Sequence, residues 1–369
     1  MHNSIIILKL NNYDMLNLEM AVKKIMDNLK ISFRGKRLLI KPNFVCPRQD
    51  ATTDIKLVEA VIKVLSPHNE LIIGEGSGYE FDTEKTFEIL GVYKLGEKYG
   101  VPVINLRKER TKVAYIGGKV LKKIRLPMSL FDVDGIINMP KLKTHTLTGF
   151  TFAMKNLLGL LNDDYRRLAH IVGLNQAIVD LAKFFAPLNL LTIGDGIKVM
   201  GGEGPAFGDV FQANLLIAGR DNFAIDYYAA KIIGFLPEEV KYINLALKQG
   251  LIDKYGDFEY SEVINIPKPT ASFFYRFIYW LVYVFDLVPS FLLKKSLIPQ
   301  IITKFGTRVE IIKDKCIHCG ECMKVCPVGA ISSDLTIDYN KCRYIRCLRC
   351  YDVCKAKAIR ILGHSKPKS

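Results

Sequence analysis

Eight of the nine cysteines fall between Cys316 and Cys354. The first run, CIHCGECMKVCP, sets Cys316, Cys319, Cys322 and Cys326 in a C-x2-C-x2-C-x3-C-P pattern. Three thiolates on one tight loop hold three corners of an iron–sulfur cube, and the fourth, after a short helical turn, points toward a second cube. Gly320 permits the close backbone approach that such a loop needs. A zinc site would want two separated pairs instead. The second run, CRYIRCLRCYDVC, keeps the same spacing at Cys347, Cys350 and Cys354, but Cys342 stands four residues ahead instead of two. A longer loop still delivers a thiolate, since a four-residue gap is workable in plant-type clusters. The flanks PVGAISSDLTIDYNKC and CKAKAIRIL repeat one helix-then-strand unit, the internal symmetry a two-cluster domain requires. The expectation is two [4Fe–4S] clusters. One takes Cys316, Cys319, Cys322 and Cys354; the other takes Cys342, Cys347, Cys350 and Cys326. Close-spaced cysteines of this kind read as metal ligands in a reducing, cytoplasmic compartment rather than as a disulfide framework. The ninth, Cys46, reads as a buried free thiol.

Over residues 308–362 the tail resembles the bacterial two-cluster ferredoxin family. Lys355 departs from it, standing where that family often has proline. The formal charge of the chain is +15, and residues 306–369, with 13 Lys/Arg against 6 Asp/Glu, carry +7 of it. Two oxidised clusters held by eight thiolates total about −4, so basic neighbours offset their charge. No RNA-binding signature accompanies the charge, and no nucleic-acid partner is expected. The start, MHNSIIILKLNNYD, lacks a basic region and a small-residue cleavage site, so no signal peptide is read.

The rest of the chain must position whatever the clusters serve. Residues 1–265 alternate apolar runs (SIIILKL, KRLLIKP, ELIIGEG, VPVINL, DGIINMP, LLTIGDG, ANLLIAG) with helical periodicity (NLEMAVKKIMDNLK, IKLVEAVIKVL, GFTFAMKNLLGLL, NQAIVDLAKFF, NFAIDYYAAKIIG). Apolar strands separated by helices predict an α/β fold, a mostly parallel sheet covered on both faces, followed by a small ferredoxin-like α+β domain at 306–369. Ligands in open sheets bind beyond the carboxyl ends of the strands. Several such ends are polar here: Lys41 and Asn43, the GEGSG turn with Gly76, PKLKTH, and the GDG containing Asp195. In extended chain Lys141, Lys143 and His145 face one side. A helix starting near Thr148–Gly149 and carrying Lys155 and Asn156 adds an N-terminus, which favours anions. Asp195, Glu203 and Asp226 offer carboxylates for a base or a metal. His145 stays open between ligand, acid–base group and hydrogen-bonded core residue. GEGSG is not G-x-G-x-x-G, so no nicotinamide site is expected.

KPNFV, TTDIKLVEAVI, GEGSG, NMPKLKTHTLTGFTFAMKNLLG, DGIKVMGGEGPAFG and DNFAIDYYAAKIIG together resemble the DUF362 family over roughly residues 36–250. The resemblance implies a redox-linked protein of anaerobes or archaea, often fused to a ferredoxin domain. It implies no reaction. It groups Lys41, Asn43, Lys141, Lys143, His145, Lys155, Asn156 and Asp195 into one site.

The connector, 266–305, contains FFYRFIYWLVYVFDLVPSFLLKK, with 17 apolar residues of 21 between Phe273 and Leu293. Arg276, Tyr279, Tyr283 and Asp286 fall on one narrow helical stripe, expected to face away from the helix's main contact surface. Three readings stand: a helix packed between domains, a helix docking peripherally on a membrane or a partner, and a membrane span. The functional expectation is an electron-transfer protein, a ferredoxin-coupled reductase whose catalytic group is Lys141, Lys143, His145 and Asp195, acting on a small anionic substrate. The rival is a non-enzymatic carrier or docking subunit for a redox partner protein.

Overall fold

The computed structural model describes residues 5–79, 81–252, 262–270, 273–286, 308–342 and 347–362. The first half of the α/β domain runs β1 (Ile6–Lys9), α1 (Met15–Asn28), β2 (Arg37–Pro42), α2 (Ile55–Leu65), β3 (Glu70–Glu75), α3 (Thr83–Leu90), α4 (Val92–Tyr99) and β4 (Val103–Asn105). A hairpin of β5 (Thr111–Tyr115) and β6 (Lys123–Pro127) leads to β7 (Gly135–Met139), β8 (Lys141–His145), β9 (Gly149–Thr151) and α5 (Ala153–Asn156). Then come α6 (Asp163–Phe185), β10 (Asn189–Gly201), β11 (Asp209–Gly219), α7 (Asn222–Ile232) and α8 (Lys241–Lys248).

The main sheet is ordered β1-β11-β10-β7-β2-β3-β4, with β8 and β9 attached at β10. Pairings from β10 through β4 are parallel, and β11 and β1 add an antiparallel edge. Alternation explains the two layers. Leu38 and Ile40 of β2 point into a core with α1 and α2, while Leu39 between them points into the core with α5–α8. Both faces are therefore covered, as a parallel sheet demands. Helix starts follow local chemistry: Asp14, Asp54 and Asp82 cap α1, α2 and α3 through their carboxylates.

Two expectations change. PKLKTH is itself a strand, β8, and the predicted helix from Thr148–Gly149 is replaced by β9 before a short α5 starts at Ala153. The β8–β9 register pairs Lys143 with Thr151, which keeps the chain extended past Gly149.

α9 (Phe273–Phe285) follows. The remainder of the apolar connector, 287–305, lies outside the described residues. The C-terminal unit comprises β12 (Arg308–Ile311), α10 (Glu321–Lys324), α11 (Tyr339–Cys342), α12 (Arg349–Val353) and β13 (Ile359–Leu362). Its two strands pair antiparallel, Arg308 with Leu362 through Ile311 with Ile359. Among the described residues only α6 is long and apolar enough to cross a membrane, and half of that window is buried in the fold.

Candidate functional site

The cysteines gather around two hollows. Cys316, Cys319, Cys322 and Cys354 line one, with Ile311, Leu335 and Ile359 among its apolar walls. Cys326, Cys342, Cys347 and Cys350 line the other, with Val309, Ile331 and Leu348. Each set takes three cysteines from one run and one from the other, the division expected from spacing. Cys342 reaches its hollow from the end of α11; residues 343–346 of the longer loop lie outside the described residues. Among the described residues no three His, Cys, Asp or Glu side chains converge on one ion. Thiols spread around a hollow suit a cluster better than a single zinc, so the residues fit the group.

The backbone repeats with the cysteines. Gly320 (φ 74°) begins α10 and Leu348 (φ 53°) begins α12, both left-handed. Three residues after Cys326 stands Gly329 (φ 55°), and three after Cys354 stands Lys357 (φ 50°). Ala330 N–H donates to Cys326 Sγ, and Ala358 N–H donates to Cys354 Sγ, each at 3.2 Å. Such N–H···S bonds stabilise a ligating thiolate. Leu348 and Lys357 hold a conformation that costs side-chain-bearing residues about 1 kcal/mol. The second half keeps the turn geometry without the glycines.

At the carboxyl ends of the strands, the predicted residues meet in two buried networks. In the first, Lys41 pairs with Glu75 at 2.7 Å, both side chains nearly inaccessible. Glu75 also accepts from Gly76 N–H at 2.7 Å and Phe44 N–H at 3.2 Å. Asn156 accepts from Asn43 at 2.9 Å and donates to Asn138 at 2.8 Å. Asn43 Oδ1 accepts from Lys143 Nζ at 2.7 Å, and Ala51 O accepts from the same ammonium at 2.6 Å. Gly159 makes this packing fit: a Cβ there would stand 2.3 Å from Glu75 Oε1 and 2.6 Å from Lys41 Nζ.

In the second network Lys141 pairs with Asp195 at 2.9 Å, fully buried. Tyr13 donates to Asp195 at 2.8 Å, and Asp54 N–H donates to its other oxygen at 2.9 Å. Burial, then Asp195 and Asp54, push the Tyr13 phenol up, so it stays a donor. His145 turns back on its own loop, its Nδ1 accepting from Leu147 N–H at 3.1 Å. Glu203 binds Thr270 N–H and hydroxyl at the surface. Asp226 accepts from Ala153 N–H at 2.6 Å and Met154 N–H at 3.2 Å. The N-terminus of α5 is thus filled by a carboxylate of the chain itself, which corrects the expectation that it would bind an anion. The three carboxylates expected to offer a base or metal site do not converge.

Charge distinguishes the first network. Among the described residues Arg166, buried, donates only to carbonyls, those of Gly76, Ser77, Leu158, Gly159 and Leu161. Burial pulls Lys143 down to about 7, opposed by Cys46 and reinforced by Lys141. Burial, then Lys143 and Arg166, pull half-buried Lys155 down to about 7. The same pair, Lys155 and Arg166, joins burial in holding His170 neutral, down to about 3. Glu75 already neutralises Lys41 and Asp163 pairs with Arg107, so among the described residues Lys143, Lys155 and Arg166 form a positive locality without a carboxylate of their own.

Two further contacts tie this locality to the rest of the chain. Arg48, from the loop that supplies Ala51 O, reaches Asp352 of α12 at 2.7 Å and donates to Ala206 O and Gly208 O at 3.0 and 2.9 Å. Tyr351 lies under the same guanidinium, 5.8 Å from its ring centre. One short loop therefore touches both Lys143 and the cysteine domain. On the other side α9 packs on α6. Tyr283 stacks on His170 at 4.4 Å, and Asp286 pairs with buried Arg167 at 3.5 Å. The polar stripe faces inward at Tyr283 and Asp286, the reverse of the expectation. Phe277, Trp280 and Phe285 are left 45%, 40% and 73% exposed, and Leu281 and Val284 are half-buried. The side chains of Arg276 and Tyr279 lie outside the described residues.

Sequence reasoning missed Glu75, Tyr13, Asp54, Arg166 and Arg48. Glu75 sat inside a quoted motif, read for its glycines; the others carry no spacing signal, because their partners are remote in the chain.

Comparisons with known proteins follow this division. A profile described as a 4Fe–4S binding domain matches residues 309–332, the first cysteine run. The pyruvate synthase subunit PorD of Methanothermobacter marburgensis is 43% identical over 49 residues, 13% of this chain and 58% of that protein. A thylakoid-associated protein of Synechocystis sp. is 27% identical over 227 residues, 59% of this chain and 69% of that protein. The chain thus carries an iron–sulfur cluster-binding domain of the electron-transfer kind. The profile described as the domain of unknown function DUF362 matches residues 38–231, more than half of the chain, which therefore belongs to the DUF362 family.

Proposed function

We propose that this chain is a two-cluster, ferredoxin-coupled reductase whose acceptor is a small anion bound beside Lys143 and Lys155. The observation that carries the reading is the positive locality of Lys143, Lys155 and Arg166 at the strand ends, whose neighbouring carboxylates among the described residues, Glu75 and Asp163, are taken by Lys41 and Arg107. A buried lysine without a counter-charge loses its proton near neutral pH, and an anion restores it. The [4Fe–4S] groups supply one-electron storage when bound. The cysteines hold them in the two sets described. Arg48 fixes the cysteine domain against the loop that carries Lys143's acceptor, and a redox partner protein delivers the electrons. Lys143 and Lys155 orient the anion and hold protons for it; Lys141 and Asp195 keep the strand ends in register. The name of the Synechocystis relative places that protein at a thylakoid, and we extend membrane association to this chain as peripheral contact. A second reading, a docking subunit without its own substrate, is favoured by the likeness to a protein named as a synthase subunit.

Protein purified and reduced without oxygen, then freed of reductant, is mixed with small carboxylates and phosphorylated acceptors while cluster absorbance is followed. The reductase reading expects one class to reoxidise it, at least about tenfold more slowly in Lys143→Ala and Lys155→Ala. Reoxidation by none of these anions, or equal rates in both variants, rejects it in favour of the subunit.

A further inference from the structure

Among its described side chains α9 inverts the usual amphipathicity. A helix on a protein in water turns its apolar stripe inward and its polar stripe outward. Here the inward side carries Tyr283, stacked on His170 and against Tyr79, and Asp286, paired with Arg167. The outward side carries Phe277 and Trp280, whose rings stack 6.1 Å apart, and Phe285, 73% exposed. Trp280 spends its one polar group inward, donating from Nε1 to Ile171 O at 3.2 Å, and Val172 beside that carbonyl is itself 40% exposed. The indole thus presents hydrocarbon with its donor satisfied. Such a side chain gains from leaving water and loses no hydrogen bond in doing so.

We infer that this face, Phe277, Trp280, Phe285 and neighbouring Val172, docks the chain onto a bilayer containing anionic lipid. This deepens the peripheral placement proposed above by naming its surface. Three observations select lipid over other occupants. The exposed side chains are aromatic and aliphatic, the types that settle at the boundary of headgroups and acyl chains. The 13 described residues of α9 are too few to cross a bilayer, and Tyr283 and Asp286 of its polar stripe are engaged by α6, so this stretch lies along a surface. The formal charge of +15 stays positive after the clusters' about −4 and draws the molecule toward anionic headgroups.

Trp280 is the single tryptophan of the chain, which makes the face its own reporter. The full chain, purified without oxygen, is mixed with vesicles of phosphatidylcholine alone or with phosphatidylglycerol added. The proposal expects flotation with the anionic vesicles, a blue shift of Trp280 emission, and quenching by brominated acyl chains. Phe285→Ser, at the most exposed position, should lower partitioning roughly tenfold while far-UV circular dichroism and cluster absorbance stay unchanged. Flotation that Phe285→Ser and Phe277→Ser leave intact would keep the membrane association and overturn this surface. Absence of flotation from every vesicle would overturn both. A concentration-dependent dimer that Phe285→Ser dissolves, with no vesicle binding, would assign the face to a second copy instead.

Discussion

In the cysteine domain two short runs, close in sequence, supply every thiol of two hollows. In the α/β domain the polar groups come from β2, β3, β7, β8, β10 and the loops beyond them, up to 182 residues apart in the case of Tyr13 and Asp195. The first site is a local device whose geometry is written in i, i+3 spacing and left-handed turns. The second is a product of the sheet: the strands must stack in register before Lys41 meets Glu75 or Lys141 meets Asp195. Their electrostatics differ in the same way. In the cysteine domain the negative charge of the ligating thiolates comes with the cluster and falls among the basic residues that give 306–369 its +7. The lysine site holds its basic groups in the fold itself, but burial pulls Lys143 and Lys155 down to about 7, so its full positive charge needs a lower pH or a bound anion.

This difference can be broken first at Glu75. Glu75→Ala leaves Lys41 buried with no counter-charge, and the loss expected is about 3–5 kcal/mol in denaturant unfolding. A loss below about 1 kcal/mol would mean that Lys41 reaches solvent and that the network is not a structural unit. Next in size is the junction between the two regions. Arg48→Ala removes a charged donor from Asp352, whose side chain is 20% exposed, and from two carbonyls, and should cost about 1.5–3 kcal/mol. A double-mutant cycle with Asp352→Ala should return a coupling of about 0.5–3 kcal/mol. Zero coupling would detach the cysteine domain from the loop that holds Lys143.

The surplus of cations predicts a pH dependence of fixed sign. Lys155 sits near 7 when folded and at its ordinary higher value when unfolded. Between the two the unfolded chain binds more protons, so stability rises with pH above about 7 and is flat below it. Lys143, also near 7 when folded, adds a rise of the same sign, so Lys155→Met should shrink the rise to roughly half of that in the native chain, measured by denaturant unfolding across this range. Sulfate or phosphate should raise the melting temperature of the native chain more below pH 7, where both Lys143 and Lys155 are charged, than above it. An equal effect at all pH values would contradict an anion site at these lysines. The smallest effects sharpen the repeat inside the cysteine domain. Gly329→Ala should cost about 1 kcal/mol, and Lys357→Gly at the matching turn should cost nothing or stabilise by a few tenths, because both positions are left-handed.

The cysteine sets, the seven strand runs and the two-faced sheet were legible in the sequence because spacing and hydrophobic period are local signals. Lys141 and Lys143 do lie with Lys41 and Asp195 at the strand ends, as alternation along β8 suggested, but in two networks rather than one pocket. What pairs with each lysine was not legible, since Glu75 and Asp195 are chosen by register across strands. The inward stripe of α9 escaped for the same reason. Periodicity locates a stripe but not the side on which Arg167 and His170 wait. The helix expected at Thr148 failed because Lys143–Thr151 pairing outweighed the apolar helical pattern of GFTFAMKN.

The claim that both cysteine runs form cluster sites is tested most directly by counting iron in protein purified without oxygen, native and Cys342→Ala. The account predicts about eight iron atoms per native chain, and about four in the variant with one set of cluster signals in electron paramagnetic resonance preserved. About four in the native chain, unchanged by Cys342→Ala, would contradict it and leave the second hollow without a cluster.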